Sequence, residues 1–132
     1  MCVFCKIISG EFPSYKIYED DLCIAILDIS QATIGHTLII PKNHVQNIFE
    51  LSEELASELF KRVVFVANKL KKNLDINDLN ILNNNGALAG QTVMHYHIHL
   101  LPRTENDNLK IEFKANSFSK EKMNSLLQLI IK

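Results

Sequence analysis

Residues 90–103 read GQTVMHYHIHLLPR, and this stretch decides the fold that the sequence predicts. Between His95 and Leu100, histidines alternate with bulky apolar residues. A period of two is typical of a strand with one buried face. Residues two apart on a strand lie on the same face, about 7 Å apart along it. The sequence therefore predicts a strand with His95, His97 and His99 in a row on one face and apolar side chains on the other.

A row of three imidazoles is open to two chemical interpretations. The three side chains can ligate a metal ion, or one imidazole can act on a substrate while its neighbours orient it. A neutral imidazole is a good nucleophile at pH 7, because its pKa is about 6.5 and no separate base is required. Attack on phosphorus needs one bare ring nitrogen, while the other donates its proton to a fixed acceptor. His97 is the natural nucleophile because it has a histidine on each side.

Composition predicts one packed domain. The 132 residues are 47% hydrophobic and 22% charged, as in ordinary globular domains. The net charge of −1, with scattered cations, argues against binding of long nucleic acid. No apolar run approaches the length of a membrane span and no signal peptide is apparent, so we expect a cytoplasmic protein. The odd count of three cysteines argues against a disulfide framework.

Hydrophobic periodicity predicts the remaining elements. Beside the histidine strand, strands are expected over residues 16–19, 22–28, 36–41, 79–83 and 109–113. Ser52 is expected to cap the main helix, whose apolar stripe is Leu55, Leu59, Val63, Val66 and Leu70. Ser119 is expected to cap a C-terminal helix whose apolar stripe packs either on the domain or on a partner. That stripe is Met123, Leu126, Leu127, Ile130 and Ile131.

Three further features carry candidate chemistry. The Cys2–Cys5 pair has the C-x-x-C spacing of half a zinc site, of a redox dithiol, or of two unpartnered cysteines. Residues 84–91 are rich in amides, and their two glycines, Gly86 and Gly90, let backbone N–H groups approach a phosphate. Asp28, at a strand end, is either a turn cap or a ligand-binding carboxylate.

Residues 90–101 resemble the His-x-His-x-His motif of the histidine triad superfamily. The resemblance extends to residues 2–13, 27–29, 35–44 and 83–86. It is greatest for the bacterial Hint-like branch, which contains purine nucleoside phosphoramidases and nucleotide hydrolases.

The resemblance implies a catalytic assignment. His97 would attack the α-phosphorus of a purine nucleotide, such as an adenosine phosphoramidate, and form a nucleotidyl-histidine that water hydrolyses. Its other nitrogen would donate to the carbonyl of His95, and no catalytic metal would be required. His99 would contact the α-phosphate, and His36 would join the imidazole network.

The resemblance also implies the nucleotide-binding residues. Asn84 would contact the α-phosphate, and Gln91 and Thr92 would lie near the leaving group. Asp28 would accept hydrogen bonds from the ribose of a bound nucleotide such as AMP. The walls of the base pocket would be Phe4, Ile7, Ile26 and Ile29.

The family fold is α+β, a five-stranded antiparallel sheet with one long helix. The resemblance implies a single domain over residues 1–132, with a core over 2–103, a C-terminal extension over 104–132, and a homodimer with a ten-stranded sheet. A structural zinc ion would be bound by Cys2, Cys5, His44 and His95.

Two other functions stay open. Residues 90–92 and 100–103 also resemble the Fhit-like branch, which cleaves dinucleoside polyphosphates, although Asn84 stands where that branch usually has Gln. A nucleotide-binding regulatory module with little turnover would present the same residues.

Overall fold

The computed structural model describes residues 2–132 and confirms the predicted α+β fold. The five strands form one antiparallel sheet in the order β1-β2-β3-β5-β4. The helices are α1 (Val3–Ile8), α2 (Glu53–Leu74) and α3 (Lys120–Ile130). The strands are β1 (Lys16–Glu19), β2 (Cys23–Leu27), β3 (Thr37–Pro41), β4 (Asp78–Leu82) and β5 (Ile98–Arg103). A 3-10 turn spans Ala87–Ala89.

The long helix α2 forms where the sequence predicts it. The Ser52 side chain accepts a hydrogen bond from the Leu55 N–H at 3.1 Å and so caps the first turn. The helix ends at Leu74, and the cap residue Asp75 adopts the left-handed conformation with φ of 53°. One face of the helix is buried against the sheet, through Leu59, Val63, Val66 and Leu70.

The two faces of the sheet have different partners. Tyr96, Ile98 and Leu100 are buried with the inner face of α2. Phe4 of α1 packs on the opposite face against a second apolar cluster, made by Ile24, Ile26, Leu38 and Ile40. The predicted alternation is therefore confirmed, because the apolar residues of the histidine segment all face α2.

The histidine strand begins later than expected. Strand β5 starts at Ile98, so His95 and His97 precede it. In that segment the Tyr96 N–H donates to the Val45 carbonyl at 2.7 Å, and the His97 carbonyl accepts from the Asn83 side chain at 2.8 Å. Loop groups thus replace the neighbouring strand as hydrogen-bond partners.

The strand expected over residues 109–113 is wrong. Residues 104–119 contain neither helix nor strand. The Arg103 guanidinium binds the Asp107 carboxylate at 2.8 Å and the Leu109 carbonyl at 2.6 Å, which turns the chain back at the end of β5. Among the residues that the structure describes, no helix is both long and apolar enough to cross a bilayer.

Candidate active site

His97 is held in one tautomer. Its Nδ1 lies 2.7 Å from the carbonyl oxygen of His95. A carbonyl oxygen only accepts, so Nδ1 carries the proton and Nε2 is bare. Burial lowers the pKa of His97, against the opposing hydrogen bond to the His95 carbonyl, and this favours the neutral ring. The local geometry therefore leaves His97 with one free lone pair.

His99 and His36 form a directed pair. The Ala32 N–H donates to His36 Nδ1 at 3.1 Å, which leaves the His36 proton on Nε2. His36 Nε2 lies 2.8 Å from His99 Nδ1, so His36 donates to that nitrogen. His99 in turn must carry its proton on Nε2. Burial, with smaller contributions from His97 and His36, lowers the pKa of His99 to about 4.

Asp28 lies beside this pair. Its carboxylate oxygen Oδ2 is 3.6 Å from His36 Nε2. Burial lowers the pKa of His36 even though the Asp28 carboxylate raises it. The pair is therefore neutral at pH 7, and His99 presents a single N–H group.

Gln31, which no sequence pattern marks, holds together the loop that carries Asp28 and His36. Its Nε2 donates to the carbonyls of Asp28 at 2.6 Å and His36 at 2.8 Å. Its Oε1 accepts from the N–H groups of Gly35 at 2.8 Å and His36 at 3.1 Å. Asn83 is a second missed residue, because its amide binds the backbone of His97. Neither role has a sequence motif, since both depend on groups brought close by the fold.

A polar cavity of about 320 Å³ lies in front of His97 and His99. Asn84, Gly90 and Thr92, which were all expected near the phosphate or the leaving group, line it. The remaining lining residues are Phe4, Asp28, Ser30, Leu38 and Val93.

An apolar cavity of about 360 Å³ adjoins the polar one. Its lining includes the four residues expected to wall the base pocket, Phe4, Ile7, Ile26 and Ile29. Phe4, Asp28 and Leu38 line both cavities. The cleft therefore runs from an apolar end, past one carboxylate, to the histidines. A larger cavity of about 490 Å³, between residues 31–34 and 104–108, contains none of the histidines.

Gln91 lies outside both cavities. It is buried, and its Nε2 donates to the carbonyls of Gln46 at 2.7 Å and Val93 at 3.1 Å. Its Oε1 accepts from the Gly86 N–H at 2.8 Å. The Gln91 amide therefore supports the loop over residues 84–91 through backbone hydrogen bonds, and these bonds occupy both its nitrogen and its oxygen.

The predicted zinc ligands lie together. Cys2, Cys5, His44 and His95 place their ligating atoms within 4.8 Å of one another. His95 Nε2 is 2.8 Å from the Pro41 carbonyl oxygen, so it carries the proton and leaves Nδ1 bare towards the cluster. His95 Nδ1 is 3.4 Å from Cys2 Sγ and 3.0 Å from His44 Nδ1. Tetrahedral zinc with these donors needs ligand atoms about 3.3–3.8 Å apart. The Cys2–His95 distance lies in this range and the His44–His95 distance is slightly shorter, so small side-chain adjustments would bring the four donors onto one ion.

The sheet, the three histidines and the cleft define a class of α+β proteins that bring a histidine row to an elongated cavity. Residues 9–106 match the model of the HIT domain, and the chain belongs to this family. The chain is 52% identical over 102 residues to Protein hit of Bacillus subtilis, covering 77% of this chain and 70% of that protein. It is 36% identical over 126 residues to the adenosine 5'-monophosphoramidase hnt1 of Schizosaccharomyces pombe, covering 95% and 92%. It is 45% identical over 108 residues to the adenylylsulfatase HINT3 of Arabidopsis thaliana, covering 82% and 55%.

Solved structures agree with the whole fold. The crystal structure of a HIT family member from Bacillus subtilis superposes with a TM-score of 0.92 at 42% identity, over 98% of this chain and 94% of that chain. A Zn-bound histidine triad family protein from Mycobacterium smegmatis superposes with a TM-score of 0.78 at 36% identity, over 97% and 91%.

Proposed function

We propose that this protein is a purine nucleotide hydrolase that cleaves at the α-phosphate through a nucleotidyl-histidine on His97, with nucleoside phosphoramidates as substrates. The observation that carries the proposal is the bare Nε2 of His97 at a polar cavity, with Nδ1 fixed on the His95 carbonyl. Relatives named as an adenosine 5'-monophosphoramidase and an adenylylsulfatase support hydrolysis of nucleotides at the level of the family.

The cleft accommodates a nucleotide in one direction. The base enters the apolar cavity against Phe4 and Ile26. The ribose hydroxyls donate to Asp28, which lines both cavities. The α-phosphate then lies in the polar cavity, where His99 Nε2–H and the Asn84 amide donate to its oxygens.

The reaction proceeds in two displacements. His97 Nε2 bonds to the α-phosphorus while the bond from phosphorus to the leaving nitrogen breaks, and the leaving nitrogen takes up a proton from water. The ring is then positively charged, and the His95 carbonyl on Nδ1–H stabilises that charge. Water attacks the phosphorus next and the bond to Nε2 breaks. The proton released by that water neutralises the hydroxide left by the first displacement, and the nucleoside monophosphate leaves a neutral His97.

A His97→Ala variant tests the reaction. Its turnover of adenosine 5'-phosphoramidate should fall by at least about a thousandfold, because the variant lacks the nucleophile and substrate binding alone does not compensate for that loss. AMP affinity, measured by calorimetry, should change far less, since the base and ribose contacts remain. Wild-type turnover in this variant would contradict the proposal. Faster wild-type cleavage of a dinucleoside polyphosphate would assign the protein to the alternative substrate class.

We further propose that the cluster of Cys2, Cys5, His44 and His95 holds a structural zinc ion. When bound, zinc supplies a cross-link and no step of the hydrolysis. The cluster joins the start of α1 to the segment before His97, and Phe4 lies between the two cysteines. The Phe4 ring packs 5.0 Å from the His97 ring, so the cross-link fixes one wall of the cleft.

We also propose a homodimer with a continuous ten-stranded sheet. Strand β4 lies at one edge of the sheet, and Ile81 and Leu82 on it are exposed. An open edge strand with apolar side chains favours pairing with another strand.

A cytoplasmic location agrees with the three free cysteines, Cys2, Cys5 and Cys23.

A further inference from the structure

Residues 42–52, which connect β3 to α2, make two kinds of hydrogen bond to the active-site region. One is direct, because the Val45 carbonyl accepts from the Tyr96 N–H at 2.7 Å. The other goes through side chains and begins at the Ile48 N–H, which donates to Oδ1 of Asn85 at 2.7 Å. Asn85 lines neither cavity of the cleft, so any effect of its amide on the reaction passes through its neighbours.

Three hydrogen bonds in series join the Ile48 N–H to the carbonyl of His97. After the first bond, Nδ2 of Asn85 donates to Oδ1 of Asn83 at 2.7 Å. Nδ2 of Asn83 then donates to the His97 carbonyl oxygen at 2.8 Å. Both amides are half-buried, so water competes with these bonds only in part. The series ties the backbone of the proposed nucleophile to the connection between β3 and α2.

The direction of the series is fixed by the backbone groups at its two ends. A backbone N–H only donates and a carbonyl oxygen only accepts. Asn85 must therefore turn its oxygen towards Ile48, which leaves its nitrogen for Asn83. Asn83 must in turn offer its oxygen to Asn85, which leaves its nitrogen for the His97 carbonyl. The orientation of the Asn85 amide thus determines which end of the Asn83 amide faces His97.

The turn that contains Ile48 holds the first donor in place. The Asn47 side chain accepts from the Phe49 N–H at 3.0 Å, and the Asn47 carbonyl accepts from the Glu50 N–H at 3.1 Å. Asparagine side chains stabilise turns in this way. The Ile48 N–H takes no part in these two bonds and donates to Asn85 instead. The two bonds fix the turn, so the series has a defined starting point.

The series restrains the residue whose ring must reach the phosphorus. Nδ1 of His97 is held by the His95 carbonyl, and the His97 carbonyl is held by Asn83. A misplacement of about 1 Å at a reacting group can cost about a hundredfold in rate. Loss of the second restraint should therefore affect the chemical step more than the binding of substrate.

We propose that Asn85 is a positioning residue for His97, because it sets the orientation of the Asn83 amide that holds the His97 carbonyl. A side chain with two acceptor oxygens and no donor in place of Asn85 would attract the Asn83 nitrogen and turn that amide round. The Asn83 oxygen would then face the His97 carbonyl oxygen, and the two would repel. The kinetic consequence rests on the proposed hydrolysis, whereas the effect on the His97 carbonyl does not.

Two variants of Asn85 separate orientation from packing. Asn85→Asp keeps the size of the side chain and the acceptor for Ile48, but it removes the donor to Asn83. Asn85→Ala removes the whole amide but leaves the Asn83 nitrogen on the His97 carbonyl. With saturating adenosine 5'-phosphoramidate, kcat should fall at least about tenfold in Asn85→Asp and less than about threefold in Asn85→Ala. The assay is run in about 1 M salt, where a Debye length of about 3 Å screens the added carboxylate from the phosphate.

Asn73→Asp adds the same charge at the exposed end of α2 and serves as the control, with an expected kcat equal to that of the wild type. A kcat that falls as far in Asn85→Ala as in Asn85→Asp, or further, would overturn the proposal, because the Asn85 side chain would then only fill space. Equal kcat values for Asn85→Asp and the control would overturn it as well.

The chemical shift of the His97 carbonyl carbon tests the proposal in the free protein. Loss of the hydrogen bond should move this signal upfield in Asn85→Asp, whereas Asn85→Ala and Asn73→Asp should keep the wild-type position. A wild-type signal in Asn85→Asp would overturn the proposal even if that variant has lost activity. A wild-type protein that hydrolyses no nucleotide would contradict the proposed function alone, and the carbonyl signal would still decide the role of Asn85.

Discussion

Asn83 offers a sharp test of how His97, the proposed nucleophile, is positioned. Its Nδ2 donates to the His97 carbonyl at 2.8 Å, and its Oδ1 accepts from the Asn85 amide at 2.7 Å. The substitution Asn83→Ala removes both bonds. Because His97 precedes strand β5, the strand ladder does not replace the lost donor.

The magnitude follows from the unsatisfied carbonyl. A buried acceptor without a partner costs about 1–3 kcal/mol. For a chain of 132 residues the unfolding entropy is about 0.28 kcal/mol/K, so the melting temperature should fall by about 4–11 °C. Displacement of the ring from the phosphorus should lower kcat about tenfold or more, because near-attack geometry is lost.

Two assays and one control separate these effects. Scanning calorimetry gives the melting temperature, and steady-state hydrolysis of adenosine 5'-phosphoramidate gives kcat and KM. Asn73→Ala, at the exposed end of α2, serves as control and should stay within about 0.5 kcal/mol of the wild type. A kcat for Asn83→Ala equal to that of the control, with the stability loss present, would refute the positioning role.

Three further predictions follow from other groups. Gln31→Glu should lower kcat and raise KM, because a carboxylate oxygen would face the Asp28 and His36 carbonyls that now accept from Nε2; an unchanged KM would contradict this. The free energy of unfolding, measured with urea, should decrease as the pH is lowered from about 6.5 to about 4, where His99 is protonated even in the folded state. Stability decreases in this direction because the pKa of His99 is lower in the folded protein, so the unfolded chain binds the proton first. A free energy of unfolding that does not change over this pH range would contradict the prediction. Cys5→Ser should lower bound zinc by elemental analysis and also weaken AMP binding, since α1 loses its cross-link; full zinc content would argue against the ligand set.

The features that could be predicted from the sequence are those that depend on local residue patterns. The period of two around Tyr96 and Ile98 identified which side chains face α2, because burial on one side of a strand imposes that period. The Ser52 cap and the stripe from Leu59 to Leu70 were likewise local signals. The resemblance supplied the grouping of Cys2 with His95, which no spacing in the chain indicates.

The sequence did not predict roles that arise only from tertiary contact. Gln31 binds a backbone carbonyl five residues away and Asn83 one fourteen residues away, and amide side chains in loops are common without such a role. Gln91 was expected near the leaving group, but its amide lies beneath the loop because three backbone groups there need partners. The expected strand over residues 109–113 is absent, and the Arg103 guanidinium instead binds the Leu109 carbonyl, a backbone acceptor that a strand pairing would use.

The most direct measurement is to trap the covalent intermediate. Wild-type protein mixed with excess adenosine 5'-phosphoramidate, quenched within one turnover at alkaline pH and digested, is analysed by mass spectrometry. One adenylyl group should be found on the peptide that contains residues 95–99, and fragmentation should place it on His97. Single-turnover hydrolysis without any adduct on His97, or with the adenylyl group on another side chain, would contradict nucleophilic attack by this imidazole.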